Sequence, residues 1–108
     1  MIEKIYKFTM TDEKTIERIV DDEHSAINHM VLNKGEALPI HDSNSHVYLV
    51  IIRGKMSITL AEQETHVYEA GSIANVPYAT RMFIRNEEEP VLEFFVLKAP
   101  NPRDFLGK

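Results

Sequence analysis

The chain has no cysteine, no tryptophan and only four glycines among its 108 residues. The lack of cysteine excludes disulfide bridges, thiolate zinc sites and thiol nucleophiles, and it fits a protein of the reducing cytoplasm. Long apolar runs are also missing, since no segment approaches the length that spans a bilayer or resembles the apolar core of a signal peptide. We therefore expect a cytoplasmic protein without a membrane partner.

Positive charge is scarce as well. The chain carries 12 Lys and Arg residues against 17 Asp and Glu residues, which gives a formal net charge of −5 at pH 7. This balance repels a phosphate backbone, and no stripe of basic residues opposes it, so no nucleic-acid partner is expected. With 44% hydrophobic and 27% charged residues, the composition favours one globular domain over disorder.

From residue 26 onward the sequence consists of short β-branched and aromatic runs separated by polar turns. These runs cover residues 26–32, 46–52, 56–61, 65–70, 72–77, 81–86 and 91–98. Their spacing of about 8 to 12 residues predicts an antiparallel sandwich or barrel. Residues 11–23 fit either a short amphipathic helix or an edge strand. Pro100 and Pro102 predict a tail that leaves the sheet as an extended arm.

These patterns predict a single domain over residues 1–108. Its parts are an N-terminal strand or short helix at 1–25, a barrel at 26–98 and a C-terminal arm at 99–108. The run at 46–52 is apolar on both faces, whereas a strand with one wet face alternates. A second sheet, a chain terminus or another subunit must then cover its other side, and in so small a chain this favours a homodimer.

The first of two sets of fixed spacings lies around the run at 46–52. Gly35 is followed after five residues by His41, and Gly54 closes the next strand. This arrangement resembles the first sequence motif of the cupins.

The second set follows a segment, residues 56–72, that is typical of a hairpin pair. Gly71 is followed after five residues by Pro77, with Asn86 nine positions beyond the proline, which resembles the second cupin motif. The resemblance spans residues 35 to about 98. It implies an all-β double-stranded β-helix (jelly-roll) barrel, commonly homodimeric, with a pocket at its open end.

The resemblance also implies where a metal would bind, and there the sequence departs from the family. Cupins use a His-x-His pair and a Glu from the first motif, with a His from the second. Here His41 keeps the first position, Ser43 replaces the second His, and Met82 replaces the last one. The glutamate position falls on His46 or Val47, depending on how the loop is counted.

This donor set predicts no tight site for a hard divalent ion, which prefers several imidazoles and at least one anionic ligand. If a metal is bound, His41 and His46 are its expected ligands. Met82 with two imidazoles would suit Cu(I) instead, although a methionine on an inward strand position is usually core filler.

Three functions remain open. The first is a metal-independent, non-catalytic cupin that binds a small organic ligand, with apolar walls for burial and polar groups for orientation. Its expected pocket residues are His41, Ser43, His46, Tyr48, Met82 and Ile84. The second is a metal-dependent dioxygenase, isomerase or decarboxylase, and the third is a structural dimer with a vestigial pocket. No catalytic triad or phosphate loop is recognisable, so no catalytic residue is assigned.

The other polar residues receive structural interpretations. His29 is expected on a strand face, bonded to a neighbouring group, and His24 is expected in solvent. The alternation of residues 91–98 leaves the direction of Glu93 open: it faces away from the core if Leu92 and its alternate neighbours face inward, and it points inward otherwise. His66 has no assigned role.

Overall fold

A computed structural model describes residues 1–104 of the chain. Within those residues it has nine β-strands, one 3-10 turn (Pro102–Asp104) and no α-helix, and hence no helix long and apolar enough to cross a membrane. The strands are β1 (Thr15–Asp21), β2 (Ala26–Asn33), β3 (His41–Asp42), β4 (Val47–Arg53), β5 (Lys55–Leu60), β6 (His66–Glu69), β7 (Ile73–Val76), β8 (Arg81–Arg85) and β9 (Val91–Lys98).

The strands form two antiparallel sheets that enclose one core. The five-stranded sheet has the order β1-β2-β9-β4-β7, and the four-stranded sheet has the order β3-β8-β5-β6. Each run predicted from residue 26 onward coincides with a strand to within a residue or so at each end, and residues 11–23 contain the edge strand β1 rather than a helix. The antiparallel two-sheet barrel predicted from the spacing is therefore confirmed.

The core lies between the inner faces of the two sheets. On β4 and β9 every second side chain is buried, as the period of a strand requires. The buried side chains of the five-stranded sheet include Val47, Leu49, Ile51, Leu92, Phe94 and Val96, and they meet Met56, Ile58, Met82 and Ile84 from the other sheet. Full burial of one such side chain contributes about 1.5–3 kcal/mol, so these interlocking rows account for most of the stability of the barrel.

The outer face of the five-stranded sheet also carries apolar side chains, and the N-terminal segment covers part of it. Phe8 packs against His29 and Phe95, with ring centroids 4.7 and 4.9 Å away. Tyr48 and Ile52 on β4 remain exposed. Phe8 thus covers part of β2 and β9, whereas within residues 1–104 Tyr48 and Ile52 lack the second cover that the sequence led us to expect for β4.

The C-terminal segment does not leave the barrel as the expected extended arm. Asn101 is buried, and its amide donates hydrogen bonds to the Asp21 carboxylate and to the carbonyls of Asp22 and Ser25. Ser45 donates to the carbonyl of Pro100. Prolines disfavour strand pairing, but they do not prevent the side chain of Asn101 from packing against the barrel. Residues 105–108 of the expected arm lie outside the described residues.

Gly54 provides a test of this packing. It has a φ of +79°, and a Cβ added to it would overlap the carbonyl oxygen of Val91. Gly71 has a φ of +94°, but a Cβ there would meet no atom within 4 Å. We expect Gly71→Ala to lower the free energy of unfolding by about 1–2 kcal/mol through backbone strain alone, and Gly54→Ala to cost an additional ~1–3 kcal/mol through overpacking. Urea denaturation of the two variants measures the difference, and equal losses would contradict the close approach of Gly54 to β9.

Candidate functional site

His41 lies at the lip of the barrel, where the resemblance places the first metal ligand. It is the direct cross-strand partner of Met82, so both side chains lie on the same side of the sheet. Met82 is 2% exposed and belongs to the core, whereas His41 lies on the edge strand and is exposed. Its Nδ1 lies 3.0 Å from the carbonyl oxygen of Pro39. One imidazole therefore stands at the lip above a thioether that is already packed in the core.

Ser43, at the second histidine position, is buried and serves the neighbouring loop. Its hydroxyl donates to the carbonyl of Pro77 at 2.6 Å and accepts from the backbone N–H of Thr80 at 2.8 Å. Because both hydrogen bonds close the turn before β8, the oxygen has a structural partner on each side. Ser43 therefore holds the loop in place.

The orientation of β4 shows which of His46 and Val47 occupies the position of the cupin glutamate. Val47 is fully buried in the same core as Met82, whereas His46 is exposed. The inward residue is thus Val47, and the backbone carbonyl of His46 accepts a hydrogen bond from the N–H of Ala99. Tyr48 likewise lies on the outer face of the sheet, on the opposite side from Leu49.

The structure thus brings together only some of the expected pocket residues. His41, Ser43 and Met82 are neighbours, and Ile84 lies two residues along β8 from Met82, within the core. His46 and Tyr48 do not join them, which corrects their assignment to the pocket. One imidazole, a hydroxyl with two partners and a buried thioether do not fit a hard divalent ion, and residues 1–104 contain no group of three or more His, Asp or Glu that could hold one.

A cavity opens between the two sheets, beside these residues. It has a volume of about 240 Å³, and we call it the β5–β7 cavity. It is lined by Ile58, Leu60, Tyr68, Ser72, Ile73, Ala74 and Asn75. Ile58 and Leu60 are the cross-strand partners of Ile84 and Met82, so its inner wall continues the apolar interior of the barrel. Its rim carries a phenol, a hydroxyl and an amide, which can orient a ligand by hydrogen bonds.

The most strongly connected polar group lies elsewhere, on the outer face of the five-stranded sheet. His29 is fully buried, with Nδ1 2.7 Å from Glu17 and Nε2 2.6 Å from Glu93. Glu93 also accepts from Arg53 Nε at 2.7 Å, and Arg53 NH1 lies 2.7 Å from Asp12. We call this set of five residues the ionic chain. Since an ionised carboxylate only accepts, both ring nitrogens of His29 donate when Glu17 and Glu93 are charged.

Two carboxylates of the ionic chain, those of Glu17 and Glu93, have a lowered pKa. Burial raises the pKa of Glu93, but hydrogen bonds from His29 and Arg53 outweigh it and hold that pKa below the usual glutamate value. The pKa of Glu17 is also lowered, first by the hydrogen bond from the backbone N–H of Thr9 and then by His29. Folding therefore favours ionisation of both groups.

Sequence reasoning identified the members of this chain only in part. The prediction that His29 bonds a neighbouring group is confirmed. Glu93, whose direction the sequence left open, lies on the outer face of β9, where it meets His29. The pairing itself was missed because it depends on β9 lying between β2 and β4, and no local pattern specifies that order. His24 is exposed as expected, and the ring of His66 lies 6.2 Å from that of Tyr68 beside the β5–β7 cavity.

No family model matches the chain. An uncharacterised protein of Methanocaldococcus jannaschii, MJ0764, is 49% identical over 104 residues, which cover 95% of this chain and 90% of the relative. The crystal structure of that protein, described as an RmlC-like cupin family protein with a double-stranded β-helix fold, superposes with a TM-score of 0.93 over 95% of each chain.

More distant structures agree in fold alone. An uncharacterised conserved protein with a double-stranded β-helix domain from Klebsiella pneumoniae is 16% identical, with a TM-score of 0.74 over 88% of this chain and 84% of that one. A cupin-like protein from Thermotoga maritima is 13% identical, with a TM-score of 0.73 over 79% of this chain and 67% of that one. The predicted double-stranded β-helix is thus confirmed.

The lowered pKa values of Glu17 and Glu93 predict a pH dependence of stability. A depressed folded-state pKa stabilises the protein above the unfolded value, about 4.3 for glutamate, and this contribution is lost as the pH falls through the folded value. We expect Glu93→Gln to lower the free energy of unfolding at pH 7 by roughly 1–3 kcal/mol and to flatten its fall below about pH 4.3. Urea titrations over this range test both effects. The exposed Glu88→Gln is the control, and identical pH profiles for the two variants would contradict the assignment.

Proposed function

Because the chain belongs to the RmlC-like cupin family, we propose that it binds a small organic molecule in its barrel without a metal ion and without catalysing a reaction. The β5–β7 cavity supports this proposal more than any other observation. Its volume of about 240 Å³ is somewhat below the roughly 300–1,000 Å³ of drug-sized ligand pockets, so the ligand is a small one. Its apolar inner wall can bury the ligand, and its polar rim can orient it.

The replaced metal ligands support the metal-independent part of the proposal. Val47 and Met82 occupy two of the four ligand positions and are buried in the apolar core. Ser43, in a third position, uses its hydroxyl to close a turn. A cation at this lip would have no anionic partner from these positions, and nothing there would offset the loss of its hydration shell. Recognition in this barrel then depends on burial and hydrogen bonding.

Filling the β5–β7 cavity provides the test. Ala74→Leu places three additional carbon atoms against its inner wall, whereas Ala70→Leu makes the same change at an exposed turn residue. With phenol, indole and hexanoate as probes, we expect the wild type and Ala70→Leu to show a raised melting temperature by linkage. Ala74→Leu should show no such rise, and chemical-shift changes in NMR spectra should map to Tyr68 and its neighbours. Equal responses from all three proteins would contradict the assignment of this cavity.

Metal analysis of untagged protein, purified without chelators, tests the other half of the proposal. We expect less than one equivalent of any first-row metal and no rise in melting temperature with manganese, iron or nickel. A stoichiometric ion that disappears in His41→Ala would favour the metal-dependent cupin enzyme instead, with His41 as one of its ligands.

We further propose that the chain is a homodimer through the outer face of its five-stranded sheet. The N-terminal segment packs Phe8 over β2 and β9 and exposes further apolar side chains as a ridge, among them Met10, which is 84% exposed and lies beside Ile52. Ile52 and Ile73 are exposed on β4 and β7. With a twofold axis between the ridge and β4, the ridge of each copy would pack on β4 and β7 of the other copy. Twofold symmetry requires such a self-complementary contact. Adjacent exposed apolar strips mark such interfaces.

Light scattering coupled to size exclusion tests this dimer. We expect twice the chain mass for the wild type and a single chain mass for Ile52→Glu, because the new charge would be buried without a partner. Val67→Glu is the matched control, since Val67 is 55% exposed against 45% for Ile52 but lies on β6 in the other sheet. A monomeric wild type, or dissociation of both variants, would contradict the proposed interface.

A further inference from the structure

A second cavity lies at the end of the five-stranded sheet and differs from the β5–β7 cavity in its charge. It has a volume of about 150 Å³ and includes three cationic side chains, those of Arg18, Lys98 and Arg103. The remaining lining residues are Asp21, Ala26, Asn28, Asn44, Asn101 and Pro102. We call it the basic cavity. In a chain of net charge −5, this is a local excess of positive charge.

Strand register places these side chains together. Lys98 continues the alternate series of Phe94 and Val96, so it lies on the inner face of β9. Asn28 on β2 is the cross-strand partner of Val96 on β9, and Arg18 on β1 is the cross-strand partner of Asn28. The inner face of the sheet is thus apolar until this end, where three neighbouring strands each contribute a polar or charged residue.

The positive charges of the basic cavity are only partly neutralised. Asp21 is its only acidic lining residue, and its carboxylate lies 3.4 Å from Arg18 and 3.3 Å from Arg103. Its shortest contact, at 2.7 Å, is with the neutral amide of Asn101. Arg103 also lies 3.8 Å from Asp104, which is outside the cavity lining.

Lys98 is the least compensated of the three cations. Among residues 1–104, no carboxylate forms an ion pair with it. Burial and the neighbouring charge of Arg18 both lower its pKa. A half-buried ammonium beside a guanidinium is unfavourable unless an anion joins them, because like charges repel more strongly away from water.

A second observation concerns Asn28. Its Oδ1 is buried and has no hydrogen-bond partner. A buried acceptor that stays unpaired is unfavourable, and Asn28 lines the basic cavity. A ligand that brings both a negative group and a hydroxyl would satisfy Lys98 and Asn28 together.

We propose that the basic cavity binds a small organic anion whose phosphate or carboxylate group lies between Lys98, Arg18 and Arg103 and whose hydroxyl donates to Asn28. Water occupies about 30 Å³ per molecule, so the cavity of about 150 Å³ equals the volume of about five waters. Covalently bonded atoms lie closer together than separate waters, so a ligand with a few more non-hydrogen atoms than this also fits. The size matches a phosphate group or a short hydroxy acid. The inference does not depend on a ligand in the β5–β7 cavity, because the two cavities share no residue.

Inorganic phosphate, succinate and malate serve as probes, each compared with sodium chloride at equal ionic strength. We expect phosphate and malate to raise the melting temperature of the full chain above the chloride value, and malate to bind more tightly than succinate because only malate has a hydroxyl. Isothermal titration gives the affinities. In Lys98→Met the affinity for phosphate should fall about tenfold or more, since a hydrogen bond to a charged group contributes about 1.5–3 kcal/mol.

Lys34→Met is the control, because Lys34 is an exposed lysine in the turn after β2, and it should bind phosphate as the wild type does. Arg18→Gln is the second variant. It removes one of the cations that line the basic cavity, so phosphate binding should weaken. Because the Arg18 side chain is 67% exposed, folding should be unaffected. Without any anion, Lys98→Met should melt at a higher temperature than the wild type, because an uncompensated charge is gone.

Several results would overturn the proposal. One is stabilisation by phosphate and malate that does not exceed that of chloride, and another is equal phosphate affinity in wild type and Lys98→Met. A lower melting temperature of Lys98→Met, by the same amount with and without phosphate, would show that Lys98 has only a structural role. Binding of phosphate alone would assign the site to phosphate compounds, and binding of succinate and malate alone to carboxylic acids. Equal affinity for succinate and malate would remove Asn28 from the site.

Discussion

The position of the N-terminal segment depends on the ionic chain. This segment forms no strand within the described structure; its contacts include the two hydrogen bonds of Thr9 to Glu17, the ion pair of Asp12 with Arg53, and the packing of Phe8. Thr9 and Asp12 bind Glu17 and Arg53, which are held by His29 and Glu93. Phe8 packs on His29 itself. A buried ion pair contributes little net stability because its desolvation is costly, but a buried charge that has lost its partner is strongly unfavourable. The ionic chain therefore selects one position for the segment, and with it the shape of the outer face.

The positions that match the two cupin motifs fall into two groups: some shape the backbone, and others are those where cupins carry metal ligands. Gly54 keeps its positive φ beside Val91, and the Asn86 amide donates to the carbonyls of Leu32 and Glu89. These residues close turns whatever the barrel contains. Of the ligand positions, Ser43 also closes a turn, whereas Val47 and Met82 are buried in the apolar core.

Sequence reasoning predicted the strands well because each is a compact apolar run bounded by turn residues. It failed for His46 and Tyr48 because β4 is apolar on both faces, so the pattern does not state which parity points inward. It also missed the docking of Asn101 onto Asp21 and the joining of His29 to Glu93. Both depend on contacts between segments more than 60 residues apart in the chain, and only the sheet order brings those segments together.

The lengths of the outermost strands have a consequence for behaviour at high concentration. Of the four strands at the sheet borders, β3 has two residues, and β6 and β7 have four each; only β1, with seven, is longer. Unpaired backbone groups along such borders can recruit strands from other molecules, and short borders offer little to recruit. The long border β1 also contains an irregularity near Arg18, which interrupts a regular template. These features disfavour edge-to-edge pairing between molecules of a chain rich in β-branched residues.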